Sequence, residues 1–221
     1  MAGEKFITPE QEKVLNLFSK EEYLIKRFYL TGGTPLAAFY LFHRISEDLD
    51  FFSEREVYLP AIKTFISKLQ RKLKLIKVDY RKFLGLYSFY LFFTPKKFLK
   101  VDFNYYPYPR IEKGIKFKGI TVDSLYDIAV NKVHTISMKP RARDFIDVYF
   151  IIKEKGYTFK KLLMEAKSKF DWHIDPIQLG TQLLKAAKVK DYPRMIKEID
   201  HREWKRFFIE EAKKLKKEIF K

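Results

Sequence analysis

The spacing of apolar and polar positions changes along the chain. Strand-like alternation and helical periodicity mix over residues 1–122, and helical spacing alone follows. Thr8-Pro9-Glu10-Gln11 has capping-box spacing, and Val14, Leu15, Leu17 and Phe18 supply an apolar face behind it, which predicts a helix. A short strand, Phe28 to Thr31, runs into Gly32-Gly33-Thr34. A second helix is predicted there, with Thr34 as N-cap and Pro35 in the first turn, where a missing N–H costs nothing. Asp48 to Phe52 reads as a buried strand. Pro60 opens another helix, with Ile62, Phe65, Ile66 and Leu69 on one face and Lys63, Lys68, Arg71 and Lys72 on its basic surface. From 75 to 83, Ile76, Val78 and Tyr80 alternate with Lys77, Asp79 and Arg81, as in a half-exposed strand. After a turn at Gly85, Leu86 to Phe93 is nearly all apolar and reads as a central strand. Thr94-Pro95-Lys96-Lys97 turns the chain back. Phe98 to Tyr105 then sets Leu99, Val101, Phe103 and Tyr105 against Lys100, Asp102 and Asn104. Ile115 to Ile120 suits a short edge strand.

Beyond Asp123 the predicted elements are helices: Ser124 to Ser137, Ala142 to Lys155 stopped by Gly156, a third from Thr158, then 176–188 and 201–220. The expected class is α+β. A mixed sheet with flanking helices occupies 1–122, and a helical domain at 123–221 packs against it and closes a cleft.

Composition narrows the setting. Hydrophobic residues make up 47% of the 221 and aromatics 17%, enough for a packed core. No apolar run is long enough to span a bilayer, so no membrane partner is expected. The opening MAGEKFITPEQEK lacks the layout of a signal peptide. With no cysteine there is no disulfide frame and no thiolate chemistry, and cytoplasmic residence is the default. The net charge of +17 is unevenly spread. Residues 1–59 carry 7 Lys/Arg against 10 Asp/Glu, 60–119 carry 15 against 3, 120–152 carry 4 against 4, and 153–221 carry 19 against 11. Acid gathers near Asp48 and base in the middle and tail, which suits a polyanionic partner, nucleic acid first. A solvated lysine-rich surface is the alternative.

Candidate chemistry centres on residues 30–52. Two successive glycines let a backbone approach a ligand closely, and a helix start behind them suits a phosphate; a plain tight turn is the competing reading. Alternation puts Asp48 and Asp50 on one face of their strand. Paired carboxylates repel unless a cation lies between them, and hard oxygen ligands suit Mg²⁺. Asp102 lies on the polar face of its own strand, where a salt bridge to Lys100 is the simpler alternative to a metal role.

Gly-Gly-Thr followed by His43-Arg44-x-Ser46-x-Asp48-Leu49-Asp50-Phe51-Phe52 resembles the AbiEii/AbiGii-type nucleotidyltransferase toxins, of the DNA polymerase β-like minimal nucleotidyltransferase superfamily. Asp127-x4-Lys132 and Arg143-Asp144-x-x-Asp147 match the family's later motifs, and the likeness covers roughly residues 28–150. The resemblance implies a polymerase β-like core and transfer of a nucleoside monophosphate from a nucleoside triphosphate to an acceptor hydroxyl. It implies Asp48, Asp50 and Asp102 as ligands of Mg²⁺, with Mn²⁺ as the alternative. It assigns catalytic roles to those acids, Lys132 and Asp147, and nucleotide contacts to Gly32, Gly33, Thr34, Lys132, Arg143 and Asp144. By analogy the acceptor is the 3′ end of tRNA, and the chain is the toxin of a type IV-like system with an antitoxin protein as partner. A non-catalytic nucleic-acid-binding module and a metal-dependent nuclease are the competing readings.

The residues qualify parts of this. Asp127 and Lys132 stand about 140° apart round a helix, so Asp127 reads as structural, whereas Asp144 and Asp147 share a face. Arg143 and Asp147 have the spacing of a local ion pair. Arg44 suits a phosphate or a helix C-terminus, and His43 is most simply structural. Tyr105, Tyr106 and Tyr108, beside Arg110, suit base stacking or plain packing. The helix from Trp204 sets Phe207, Phe208, Ala212 and Leu215 against Lys213, Lys214, Lys216 and Lys217, a basic amphipathic face for RNA, an acidic partner or solvent.

Overall fold

Two units divide the chain after Leu125, in a computed structural model that describes residues 6–215. The first unit opens with α1 (Pro9–Phe18) and α2 (Glu22–Arg27), then β1 (Tyr29–Thr31). A single turn, α3 (Gly33–Pro35), merges into a π-helix at Leu36–Leu41. There follow β2 (Leu49–Ser53), α4 (Leu59–Lys72), β3 (Lys77–Phe83), β4 (Leu86–Thr94), β5 (Lys97–Tyr105), β6 (Lys116–Phe117) and β7 (Ile120–Val122). Among the described residues the strands form one mixed sheet in the order β3-β4-β5-β2-β1-β7-β6. The β2–β5 and β1–β7 pairs are parallel; the other neighbours are antiparallel.

Period-two alternation gives this sheet two chemically distinct faces. Leu30, Leu49, Phe51, Phe89, Leu91, Leu99, Val101 and Phe103 join Val14, Leu15 and Phe18 of α1 and Ile62, Phe65 and Leu69 of α4 in one core. Phe18 stacks on Phe51 at 4.1 Å and meets Phe65 edge-on at 5.6 Å. Each such buried ring contributes about 1.5–3 kcal/mol. The other face carries the polar set, Thr31, Asp50, Ser88 and Asp102.

The capping box at Thr8 and Gln11 forms as its spacing predicts. The helix after the glycines departs from expectation. Its N-cap is Gly32 (φ 82°, ψ −149°), not Thr34. Only three residues turn as α-helix before the π-helix begins, and Phe42 closes it in the left-handed conformation at φ 54°. Thr34 is one residue inside, and its hydroxyl donates to the Asp48 carbonyl at 2.5 Å instead of capping.

In the second unit α5 (Leu125–Met138), α6 (Ala142–Lys155), α7 (Phe159–Lys169), α8 (Pro176–Leu184), a 3₁₀ turn at Lys185–Ala187 and α9 (His201–Lys214) pack as helices. Gly156 ends α6 at φ 71°, and the Thr158 hydroxyl caps α7 by accepting from the Lys161 N–H. Phe145 of α6 packs on Trp204 at 5.9 Å and Phe208 at 4.7 Å, both fully buried in α9. The expected continuation of that helix to 220, with Lys216 and Lys217, lies outside the described residues. Among the described residues no helix is long and apolar enough to cross a membrane.

Candidate active site

Strand register assembles the acids. Thr31 of β1 stands opposite Asp50 of β2, Asp50 opposite Asp102 of β5, and Asp102 opposite Ser88 of β4. Residues directly opposite on neighbouring strands have their Cβ atoms about 4.5–5.5 Å apart. Asp48 lies two residues before Asp50, just ahead of β2. Its backbone is clamped from two sides. The Gln11 amide, buried in α1, donates to the carbonyls of Ser46 (2.9 Å) and Asp48 (3.3 Å), and the Thr34 hydroxyl donates to the latter as well. The same Gln11 accepts from the Thr8 N–H, so one side chain caps α1 and fixes the entry to β2.

The two glycines make room for this chemistry from beneath. A Cβ on Gly32 would stand 2.5 Å from Asp50 Oδ2, and one on Gly33 would stand 2.6 Å from an Arg44 guanidinium nitrogen and 2.8 Å from the Ser46 hydroxyl. Gly32 therefore gives way to the Asp50 carboxylate. Arg44 and His43 are buried, and Arg44 donates to the Ile45 carbonyl at 3.0 Å, which makes Arg44 a brace under the glycine turn.

Electrostatically the acids converge on one ammonium. Lys100 Nζ lies 2.5 Å from Asp102 Oδ2. Burial works against the charge of Lys100, yet the hydrogen bond and charge of Asp102, with Asp50 and Asp48 behind it, raise its pKa above the ordinary lysine value. The salt bridge anticipated as the alternative for Asp102 is thus present, and it uses one oxygen. Asp102 Oδ1 is buried and accepts no hydrogen bond. An unpartnered carboxylate oxygen on the strand next to Asp50 is a ligand of the kind a divalent cation takes. Among the described residues no three acidic or imidazole groups are already gathered into a cation cage.

Sequence reasoning missed Asp123. It is fully buried just after β7, its N–H donates to the Leu30 carbonyl (2.8 Å), and its Oδ2 accepts from the Thr31 hydroxyl (2.7 Å). Thr31 thus ties Asp123 to the row beside Asp50. The signal was available: Ile120 and Val122 point to the core, so residues 121 and 123 take the polar face.

The second unit holds the later motifs as two separate ion networks. Lys132, largely buried in α5, pairs with Asp147 at 2.6 Å and Asp144 at 3.2 Å on α6, as their shared face predicts. Arg141, the N-cap residue of α6, pairs with Asp144 at 2.8 Å. Burial pushes the Asp144 carboxyl up, but Lys132 and Arg141 outweigh it and hold the group below its ordinary value. Asp127 turns away from Lys132 and pairs with Lys169 of α7 at 2.7 Å, with both side chains almost fully buried.

The chain is similar to other proteins. An uncharacterized protein of Aquifex aeolicus (strain VF5), aq_aa25, is 32% identical over 145 residues, spanning 65% of this chain and 66% of that one. A Helicobacter pylori structure described as a candidate nucleotidyltransferase superposes with a TM-score of 0.58 at 19% identity, covering 94% of this chain and 93% of the other. JHP933 from Helicobacter pylori gives 0.56 at 19% identity, covering 94% and 90%. At such identity these two speak to the fold, which they share over nearly the whole chain. A family model described as nucleotidyl transferase AbiEii toxin, type IV TA system, matches residues 17–216. With that match spanning all but the ends, the chain belongs to the AbiEii nucleotidyltransferase toxin family.

Proposed function

We propose that the chain transfers a nucleoside monophosphate from a nucleoside triphosphate to an acceptor hydroxyl on nucleic acid, with the 3′ end of tRNA as leading acceptor. In this reading it is the toxin partner of an antitoxin protein, working in the cytoplasm. The observation that carries the reading is the register row of Asp50 and Asp102 with Asp48 beside it, above a glycine that yields space to Asp50. Asp48, Asp50 and Asp102 would hold Mg²⁺ or Mn²⁺. A cation bound there supplies charge neutralisation for the triphosphate and acidifies the attacking hydroxyl. The chain's own part is positioning. The Gln11 and Thr34 clamp fixes Asp48, strand pairing fixes Asp50 against Asp102, and Lys100 balances charge at the row. The acceptor oxygen bonds to the α-phosphorus, the bond to pyrophosphate breaks, and the hydroxyl proton passes to solvent. Gly32 and Gly33 offer backbone to the phosphates; the buried Thr34 hydroxyl is already engaged. Lys132, Arg143, Asp144 and Asp147 are carried to the nucleotide by family resemblance.

The test is incubation with each α-³²P-labelled nucleoside triphosphate, Mg²⁺ and total RNA, resolved on a denaturing gel. Label should enter a tRNA-sized band and vanish in Asp50→Asn, with the fold intact by circular dichroism. Wild-type labelling by that variant would refute the role of the acid row. The Lys100–Asp102 pair, which already neutralises one acid, favours a single competing reading, a nucleic-acid-binding module without chemistry. Salt-sensitive RNA binding with no label from any nucleotide would establish that instead, and shortened RNA would indicate a nuclease.

A further inference from the structure

The sheet face that carries the acids continues past them to the open edge of the sheet. Asp102 stands opposite Ser88, and Ser88 opposite Arg81 of β3. The next row on that face is Lys100, Tyr90 and Asp79, and the one after it is Phe98, Phe92 and Lys77. The rings cluster: Phe98 lies 5.3 Å from Phe92 and 5.8 Å from Tyr90. Cations lie over them, with the Arg81 guanidinium 5.0 Å from the Tyr90 ring and the Lys77 ammonium 5.5 Å from that of Phe92. Lys77 also pairs with Asp79. Phe98 is 52% exposed, and Tyr90 and Phe92 are half-buried. The core takes its side chains from the opposite face of these strands, through Phe89, Leu91 and Leu99. The outward rings therefore lie outside that core, and an aromatic group partly open to solvent suits a binding surface.

We propose that this face of β3, β4 and β5 binds the unpaired end of a nucleic-acid acceptor, its bases on Phe98, Phe92 and Tyr90 and its phosphates on Arg81 and Lys77. The inference rests on the transferase reading for its direction, toward the acid row. Charge complementarity supports the occupant: residues 60–119 hold 15 Lys/Arg against 3 Asp/Glu. Flat rings interleaved with cations suit exposed bases, whereas a duplex hides its bases and offers phosphates alone. Distance agrees as well. Phe98 and Asp102 are four residues apart on β5. That is about 13 Å, close to the rise of about four stacked nucleotides.

The test uses the full chain and a fluorescently labelled, unstructured RNA dodecamer, read by anisotropy without nucleotide or divalent cation. Phe98→Ala should weaken binding about tenfold, the effect of losing one stacked base. Phe98→Tyr should retain it, and blunt duplex RNA should bind Phe98→Ala as it binds wild type. Arg81→Gln should lower the slope of log affinity against log salt by about 0.7, one phosphate's share. Melting temperatures check that each variant folds. Unchanged single-strand affinity in Phe98→Ala, equal losses for duplex and single strand, or no single-strand binding by wild type would each overturn the proposal. Phe98-dependent binding by a wild type that labels no RNA would leave the surface standing and sink the transferase. RNA labelling by Phe98→Ala at the wild-type KM for RNA would do the reverse.

Discussion

Replacing Gly32 by alanine tests the site where backbone and chemistry meet. Gly32 has φ 82° and ψ −149°, a region that costs a side-chain-bearing residue about 1–3 kcal/mol. The added Cβ would also stand 2.5 Å from Asp50 Oδ2, roughly 1 Å inside ordinary contact. Asp50 must then rotate or β1 must part from β2, and either moves the carboxylate out of line with Asp102. A displacement of about 1 Å in a reacting constellation costs about 10²-fold in rate. Gly119 supplies the control, since it has φ 81° but nothing within 4 Å of its would-be Cβ. Gly119→Ala should lose stability of about 1–2 kcal/mol from the left-handed backbone and keep full activity. Gly32→Ala should lose more stability than this and about 10²-fold in nucleotidyl transfer. Urea unfolding followed by circular dichroism gives the first quantity, and initial rates on the labelling gel give the second. Full activity in Gly32→Ala, or an equal loss of activity in the two variants, would refute the claim that Gly32 exists to make room for Asp50.

Lys169→Ala breaks the buried Lys169–Asp127 pair and should cost about 3–5 kcal/mol in a urea titration; a loss under about 1 kcal/mol would show that the pair is dispensable. Because the folded pKa of Asp144 is depressed, its stabilisation is fully present above the unfolded value of about 3.9 and is lost as pH falls below it. Between pH 7 and 3 the urea midpoint of Asp144→Asn should therefore fall less than that of wild type; parallel profiles would contradict the ion network. Gln11→Ala removes the clamp on Ser46 and Asp48 and should cost about 1–3 kcal/mol together with transfer activity. Stability loss with an unchanged rate would mean that Asp48 is held by its strand alone.

What was legible in the sequence was local. The alternation of Leu99, Val101 and Phe103 with Lys100, Asp102 and Asn104 is a property of consecutive residues, so strand and polar face could both be read from it. The same holds for the Thr8–Gln11 box and for Gly156 closing α6. Asp144 and Asp147 on one helical face follow from a three-residue spacing. The motif around Gly32 and Asp50 carried the family.

The rest was decided by contacts between distant positions. Asp50 meets Asp102 only because β2 and β5 pair in one register, and a slip of one residue would turn every acid into the core. Asp123 joins the row through the Thr31 hydroxyl, a contact across 92 positions. Lys169 on Asp127 depends on how α7 and α5 rotate against one another, which short-range periodicity does not encode. Thr34 looked like a cap because cap residues are recognised by type, but the Asp48 carbonyl competes for its hydroxyl and Gly32 alone tolerates the backbone turn that brings Asp50 overhead. The chain by itself thus determined which residues carry charge and which face each strand presents. Tertiary pairing decided which charges meet, because hydrogen-bonded register and side-chain packing act between residues that are neighbours only after folding.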